Sequence, residues 1–280
     1  MRTQLFLWCA LVATLTSCTP EERRDSSNFP IDTYPIVFSA ATCEFGQSTD
    51  NTGTKWAGGE TFMVQVDGVA KKYILTNAAK GTLEAGESVT PFYWKGTNDI
   101  TVNAWYPCDA NNEKEKPQVV VKADQSTVDN LMASDFIEAV DSKVSISLSE
   151  SPLTFQHRVA KVVVNPKVDV TLGISNPGIK LLNLESLDQG NVITPLKNDD
   201  NYSAFVAPQN MTNKEFVDVI AGMDHSSKYI PEKENEGNLL AGKQYTYNIR
   251  VGAAGIDVIV IVDDIKWGAD DEVEITPTTI

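Results

Sequence analysis

Short apolar runs, separated by polar turns, dominate the chain from residue 31 onward. In several of them apolar and polar residues alternate: residues 145–149 (SISLS) put Ile146 and Leu148 on one face, and residues 245–251 (YTYNIRV) behave alike. A period of two is typical of a strand with one face in a core and the other in water. The pattern predicts strands at Ile36–Ala40, Thr61–Val66, Lys72–Thr76, Ile100–Tyr106, Val119–Lys122, Val144–Leu148, Val159–Val164, Val168–Leu172, Ile179–Leu184, Phe216–Ile220, Gln244–Val251 and Ile256–Ile265.

One segment departs from this pattern. Residues 124–139 (DQSTVDNLMASDFIEA) carry three apolar residues at helical spacing, and Ser126 and Asp129 stand at the spacing of a capping box. We predict one short helix or helical loop there. Because no long amphipathic helix is evident, the chain favours an all-β fold of antiparallel sandwiches over a parallel α/β fold.

The N-terminus has the pattern of an export signal. Leu5–Ala13 is an apolar run too short to span a membrane, which takes about 20 residues. Leu15–Cys18 (LTSC) resembles the lipobox of bacterial lipoproteins, in which the signal is removed before a cysteine that carries lipid. We expect residues 1–17 to be the signal, Cys18 to be lipidated and the polar residues 18–30 to be a flexible tether. The alternative is an ordinary secretory signal with an accidental cysteine.

The net charge and the length of the chain limit which binding partners and how many domains are expected. The formal net charge of −15 repels nucleic acid and anionic lipid head groups, so neither is an expected partner. A polar break at residues 149–152 (SESP) divides two strand-rich parts of similar length. Each part has the size of one domain, which predicts an N-terminal sandwich over residues 31–150 and a C-terminal sandwich over residues 151–280. The alternative from length alone is one large β domain.

Besides Cys18, the exported chain keeps Cys43 and Cys108. The two could form a disulfide in an oxidising compartment, or they could remain two buried thiols. Two cysteines in a chain of this length do not make a disulfide framework.

Catalytic and metal-binding patterns are scarce. The chain has two histidines, His157 and His225, and neither stands at the spacing of zinc ligands. A serine-histidine-aspartate triad with dispersed members stays open as a minor hypothesis, although no G-x-S-x-G elbow occurs. We expect no enzyme activity, no metal and no cofactor, and we expect His157 to be hydrogen-bonded at the end of a strand.

Three further patterns have a structural and a functional interpretation. Residues 237–243 (GNLLAGK) match the G-x-x-x-x-G-K pattern of a P-loop. However, Gln244 stands where Ser or Thr would hold Mg²⁺, and a strand follows instead of a helix, so we predict a turn. The acidic pairs at 199–200, 263–264 and 270–271 lack the EF-hand pattern and are expected to be solvated. The aromatic residues could form a sugar-binding platform, but filling a core is favoured. They are Trp56, Trp94, Trp105 and Tyr106.

Taken in order, several segments resemble those of fimbrillin-like lipoproteins, the shaft and accessory subunits of type V pili. The segments are 36–40 (IVFSA), 54–60 (TKWAGGE), 104–107 (AWYP), 124–126 (DQS), 134–136 (SDF), 153–162 (LTFQHRVAKV), 206–209 (VAPQ), 240–247 (LAGKQYTY) and 265–267 (IKW). The resemblance implies two tandem transthyretin-like antiparallel β-sandwich domains and a structural, non-enzymatic role.

The resemblance also implies assembly by donor-strand exchange. A protease removes the first strand of a subunit, and a C-terminal strand of another subunit fills the groove by β-augmentation. In this chain the removable strand would be Ile36, Val37, Phe38, Ser39 and Ala40, and the donor would be Val273, Glu274, Ile275 and Thr276.

The chain departs from the shaft pattern at the expected cleavage loop. Cleavage in the family follows an arginine after the first strand, whereas here Lys55 is the only basic residue between Ala41 and Trp56. The chain is therefore either opened by another protease or kept closed as an anchor. The expected partners are other fimbrial subunits, the outer membrane through the Cys18 lipid, and a host protein or glycan receptor at the cell surface. The alternative function is a surface glycan-binding lipoprotein that does not polymerise.

Overall fold

The structure is a computed structural model that describes residues 31–40, 58–78, 80–108, 116–169, 177–220, 226–252 and 255–265. Strands dominate these residues, and the helices among them are the short α1 (Val128–Met132) and α2 (Glu234–Gly237). The predicted all-β fold class is confirmed. No helix in this part of the chain is long and apolar enough to cross a membrane.

The first sheet collects the strands up to residue 157. Its strands are β1 Phe38–Ala40, β2 Thr61–Val66, β3 Val69–Asn77, β4 Thr82–Ala85, β5 Ile100–Tyr106, β6 Ile137–Val144, β7 Ser151–Leu153 and β8 Gln156–His157. Their order across the described part of the sheet is β7-β1-β4-β3-β2-β5-β6-β8.

The remaining strands form smaller sheets. They are β9 Ala160–Val168, β10 Gly178–Leu181, β11 Leu196–Asn198, β12 Asn201–Val206, β13 Gln209–Asn210, β14 Val217–Ile220, β15 Ser226–Tyr229, β16 Asn238–Leu239, β17 Lys243–Gly252 and β18 Gly255–Asp264. Within the described residues, the orders are β11-β12-β9-β17-β18, β10-β14-β15 and β13-β16.

Most pairs are antiparallel, as expected, but two are parallel. β1 runs parallel to β7, with Phe38 opposite Ser151, and β9 runs parallel to β17, with Lys161 opposite Gln244. Hairpin turns force antiparallel pairing between consecutive strands, whereas these strands are far apart in the sequence. No turn therefore dictates their direction.

Two clusters of buried apolar side chains hold the sheets. The N-terminal cluster comprises Ile36, Phe38, Ala40, Phe62, Val64, Val66, Tyr73, Leu75, Leu83, Phe92, Trp94, Val102, Ala104, Ile137, Ala139, Val144, Leu153 and Phe155. The C-terminal cluster comprises the buried apolar side chains from Val159 to Ile265, except Ala207, together with Val121, Leu131 and Phe136. The predicted boundary lies close to β7, which still pairs in the first sheet, and the tandem two-domain arrangement stays a prediction.

The helix occurs where it is predicted, but its cap differs. Thr127, not Ser126, is the N-cap residue, and its side chain accepts a hydrogen bond from the Asn130 amide at 3.3 Å. Ser126 instead donates its own amide to the Asp124 side chain at 3.0 Å. The cap therefore lies one residue later than the capping-box spacing indicates.

The strand predicted at Val144–Leu148 is wrong beyond Val144. The chain is extended earlier, in β6, whose register against β5 shifts between Val102 and Ala104. That irregularity breaks the two-residue alternation, so the sequence pattern hides the strand. Ile146 still packs against the N-terminal cluster without belonging to a strand.

Candidate functional site: the first strand and its two neighbours

β1 occupies an interior position in the first sheet. It pairs antiparallel with β4, where Phe38 faces Leu83, and parallel with β7, where Ala40 faces Leu153. β4 and β7 therefore meet only through β1 in the described order of this sheet. Removing β1 would uncover the paired edges of both neighbours at once.

The side chains of this segment alternate as predicted up to Phe38, but Ser39, on the same face as Val37, is buried as well. Ile36, Phe38 and Ala40 are buried in the N-terminal cluster, and Val37 is half-buried between them. The Phe38 ring meets the Tyr73 ring edge-on, with centroids 5.3 Å apart. Since buried apolar side chains contribute about 1.5–3 kcal/mol each, the strand is an integral part of this core.

Main-chain hydrogen bonds hold the segment on both sides. The Ile36 amide donates to the Phe92 carbonyl at 2.7 Å, and the Ala40 amide donates to the Gly81 carbonyl at 3.0 Å. On the other side, the Ser151 amide donates to the Val37 carbonyl at 2.8 Å. Backbone groups exposed by loss of the strand would have to pair with water or with another strand.

One side-chain hydrogen bond spans β1. The Thr82 hydroxyl on β4 donates to the Glu150 carboxylate, just before β7, at 2.6 Å. Ser39 of β1 lies opposite both Thr82 and Pro152, so this hydrogen bond joins the two neighbours of the strand. We call it the Thr82–Glu150 clasp.

A cavity of about 280 Å³ opens beside the start of the strand and is lined in part by Ile36 and Phe92. Lys71 also lines it; its ammonium lies 4.3 Å from the centre of the Phe92 ring and donates to the Thr90 carbonyl at 2.8 Å. Burial, with the positive charge of Lys95 nearby, lowers the pKa of Lys71. The first strand thus begins beside a cavity whose lining is partly apolar.

Several predicted site residues lie outside the described residues. They are the lipidation residue Cys18, the disulfide candidate Cys43, the cleavage candidate Lys55, and the donor residues Val273, Glu274, Ile275 and Thr276. Their roles stay predictions. The thiol of Cys108 is described, and it donates to the Thr61 carbonyl at 3.3 Å.

His157 is hydrogen-bonded on β8, as expected. Its Nδ1 lies 2.6 Å from the Asp135 carboxylate, and its ring stacks on Phe205 at 6.1 Å. The side chains of His157 and Asp135 are 3% and 1% exposed, so a substrate has no access to the pair. Sequence reasoning missed Asp135, because a partner 22 positions away carries no local signal.

Three of the four aromatic residues considered for a sugar-binding platform are described, and they pack inside the protein. Trp94 and Trp105 are 1% and 3% exposed, and the half-buried Tyr106 ring lies 5.2 Å from Phe62. These side chains cannot present a platform to a sugar, which argues against the glycan-binding alternative. Trp56 lies outside the described residues.

The P-loop-like segment forms a turn, as predicted. Gly242 has φ of +74°, its amide donates to the Val159 carbonyl at 2.9 Å, and β17 begins at Lys243. Gly237 ends α2 against Thr212, leaving no room for a side chain. In the part of the chain that the structure describes, no group of three or more His, Cys, Asp or Glu side chains could hold a metal ion.

Comparisons with known proteins agree with this architecture. A family model described as fimbrillin-like matches residues 44–266. None of the curated proteins matches the chain significantly.

Among solved structures, a protein from Bacteroides ovatus assigned to cell adhesion aligns at 17% identity with a TM-score of 0.63, covering 85% of this chain and 99% of its own. One from Bacteroides uniformis, also assigned to cell adhesion, aligns at 16% identity with a TM-score of 0.62, covering 82% and 98%. A C-terminally truncated tip fimbrial protein from Porphyromonas gingivalis aligns at 10% identity with a TM-score of 0.50, covering 83% and 99%. At these identities the likeness shows a shared fold.

Proposed function

The chain belongs to the fimbrillin-like family, and from that membership we propose that it is a structural or anchoring subunit of type V fimbriae, exported as a lipoprotein and joined to its neighbours by strand exchange. Family membership supports the fimbrial role, and with it association with other fimbrial subunits at the cell surface. The shared fold with proteins assigned to cell adhesion is consistent with that role.

The observation that carries the strand-exchange proposal is the interior position of β1. A removable strand has to contribute core side chains and main-chain hydrogen bonds on both edges, so that its loss creates a site for an equivalent strand. Phe38 and Ala40 supply the side chains, and the pairing with β4 and β7 supplies the two ladders. A donor strand with alternating apolar residues would restore both.

The sequence around the first strand favours an anchor over a shaft subunit. With Lys55 as the only basic residue after the strand and before Trp56, an arginine-directed protease has no site in that loop. A chain that keeps both its first strand and a lipid on Cys18 would stay in the outer membrane. Because its own first strand stays in place, it would take part in strand exchange as the donor, through its C-terminal residues 273–276.

The two buried clusters support the proposed tandem arrangement. One cluster is built around β1 to β8, and the other around β9 to β18. Each would form the core of one transthyretin-like sandwich. Among the described residues before the end of the first sheet, the segment containing Val121, Leu131 and Phe136 packs on the second core.

Deleting residues 31–40 tests strand exchange. We expect the deleted protein, purified in detergent, to bind a hydrophobic dye and to associate, because the core face of β1 and two strand edges become exposed. A peptide with the sequence of residues 34–42 (YPIVFSAAT) should bind it and restore a monomer. The matched control deletes residues 19–28 of the tether, which should leave the protein monomeric. A monomeric, thermally unchanged protein after removal of residues 31–40 would rule out strand exchange.

The anchor role is tested on the cell surface. N-terminal sequencing of the protein from intact cells should find a blocked, lipidated start at Cys18, and an unboiled sample should give one band on a denaturing gel. A start within residues 42–56, with a heat-sensitive ladder, would instead identify an opened shaft subunit.

A further inference from the structure

β18 is an outer strand with apolar side chains on both faces. In the described part of its sheet it pairs with β17 alone. Val258 and Val260 pack against the C-terminal cluster, and Val262 on the same face is 39% exposed. Ile259 lies on the opposite face and is 64% exposed. A long apolar edge strand is a template for pairing with another strand, and soluble proteins usually shorten, cover or charge such an edge.

Charges bracket this apolar run. Residues 257–263 read DVIVIVD, which is symmetric about Val260. If two copies of β18 paired antiparallel about Val260, Asp257 of each copy would lie opposite Asp263 of the other. Like charges directly opposite destabilise a strand pair. The sequence therefore disfavours edge-to-edge pairing between copies of this chain while leaving the apolar centre available.

The strand already paired with β18 shows which sequence it accepts. On β17, Lys243 lies opposite Asp264 and forms an ion pair with it, and Arg250 lies opposite Asp257. Between the two basic residues β17 contains two tyrosines and ends in Ile249 (QYTYNI). A strand that complements β18 thus has an aromatic or β-branched centre and a basic residue at each end.

We propose that the outer edge of β18 binds, by strand addition, an extended segment of a partner protein with an apolar centre flanked by Lys or Arg. The net charge of −15 favours such a basic segment over an acidic one. The chain's own C-terminal stretch has the wrong charge for this edge, since Glu272 and Glu274 flank its apolar Val273. This edge lies in a different sheet from β1, so the inference does not depend on strand exchange at the first strand.

A peptide that copies β17 is the probe. The labelled peptide KQYTYNIRV, with blocked ends, is titrated into the mature protein in detergent and followed by fluorescence anisotropy. Its control, EQYTYNIEV, keeps the centre and reverses both end charges. We expect the basic peptide to bind about tenfold more tightly at low salt, because two favourable cross-strand charge pairs replace two repulsive ones.

Amide hydrogen exchange locates the bound peptide. We expect residues 255–264 to gain protection on binding while residues 243–252 keep theirs. Faster exchange in residues 243–252 would mean that the peptide displaces β17 instead of adding to the edge, and would overturn the proposal.

The charge-reversal variant Asp263→Lys tests the recognition. Asp263 faces Gln244 and not a basic residue of β17, so the substitution leaves the existing ion pair of Asp264 intact. It should reduce the preference for the basic peptide, because it adds a positive charge beside Asp264, whereas Asp99→Lys, an equal change of charge at an exposed loop residue, should not. The proposal is wrong if both peptides bind equally, if neither binds, or if Asp99→Lys has the same effect as Asp263→Lys. It is also wrong if sedimentation shows a dimer of the unmodified protein that Asp263→Lys disrupts, because a second copy would then occupy the edge.

Discussion

Gln125 hydrogen-bonds the main chain of Phe205 as a neighbouring strand would. The Phe205 amide donates to Gln125 Oε1 at 2.8 Å, and Gln125 Nε2 donates to the Phe205 carbonyl at 2.7 Å. β11 pairs only with the first half of β12, so this side chain completes the pairing of its second half. Gln125 is fully buried. A side chain from the segment before β6 thereby takes the place of a neighbouring strand beside the second half of β12.

Gln125→Ala should destabilise the protein by about 2–4 kcal/mol, because it leaves a buried amide and a buried carbonyl of Phe205 without partners. Urea unfolding followed by circular dichroism measures the loss. Gln189→Ala, at an exposed position, is the control and should shift the free energy of unfolding by less than about 0.5 kcal/mol. Equal shifts in the two variants would show that the Phe205 contacts contribute nothing.

Phe38→Ala should lower the free energy of unfolding by about 3–5 kcal/mol, because it removes a fully buried ring packed on Tyr73 and leaves a cavity between β4 and β7. Val69→Ala, at a side chain 53% exposed, is the matched truncation and should cost far less. Thermal unfolding of both variants gives the comparison. If Phe38→Ala unfolds at the same temperature as the unmodified protein, β1 is not an integral part of the core.

Stability should fall at alkaline pH, partly through Tyr73. Burial raises the pKa of Tyr73 to about 12, above its ordinary value of 10.0. A tyrosine with a raised folded-state pKa stabilises the fold fully below its unfolded pKa, and that contribution is lost as pH rises through the folded pKa. The loss therefore runs from about pH 10 to about pH 12 and amounts to about 3 kcal/mol.

Tyr73→Phe is the variant that isolates this effect. Burial also raises the pKa of Tyr106, Tyr229 and Tyr247, so the unmodified protein loses stability through several groups. Urea unfolding at pH 8 and pH 11 should show a smaller loss in Tyr73→Phe than in the unmodified protein. At pH 8 the variant should already be weaker, because the Phe92 amide loses the Tyr73 hydroxyl as its acceptor at 3.0 Å. If both proteins lose the same free energy of unfolding between pH 8 and pH 11, Tyr73 does not contribute to the loss of stability at alkaline pH.

Gly237→Ala should destabilise the C-terminal part of the fold. A Cβ at this position would lie 2.7 Å from the Thr212 amide nitrogen and 2.9 Å from its Cα, so backbone would have to move. Gly252→Ala is the control, since no atom lies within 4 Å of its Cβ. Hydrogen exchange of residues 209–212 should accelerate in Gly237→Ala alone; acceleration in both would point to a general effect of added methyl groups.

Cys18→Ala should abolish incorporation of labelled palmitate and retention in the membrane fraction. The reason is that the expected lipid attaches to this thiol, and the acyl chains provide the membrane affinity. Cys9→Ala, inside the expected signal, should leave labelling intact. Membrane association that persists without label would show that another part of the chain binds the membrane.

Strands with clear alternation could be predicted from the sequence. β2 and β5 have the predicted bounds, because their polar residues face away from the N-terminal cluster and mark the period. β12 escaped prediction because Tyr202 to Val206 are buried without interruption, including the polar Ser203. A strand covered on both faces shows no period of two.

The candidate site could be predicted in part. Alternation of Ile36 and Phe38 with Val37 indicates a strand, but its neighbours depend on tertiary pairing with residues far along the chain. The Thr82–Glu150 clasp joins residues 68 positions apart, and nothing in the local sequence around either residue indicates that the other is its partner. The exposed edge of β18 is likewise a property of sheet order, which local sequence does not encode.

The parallel pairing of β9 with β17 governs the order in which the second core can form. Asn165 donates a side-chain hydrogen bond to Asn248 across this pair, 83 positions along the chain, and β17 lies between β9 and β18. A chain threaded N-terminus first through a membrane presents the first sheet early, yet the centre of the second sheet stays incomplete until β17, at residues 243–252, arrives. Closing so long a loop is slow. If the chain is exported as proposed, β9 lacks its parallel partner β17 until late in transport, and pairing with a wrong strand has to be prevented during that interval.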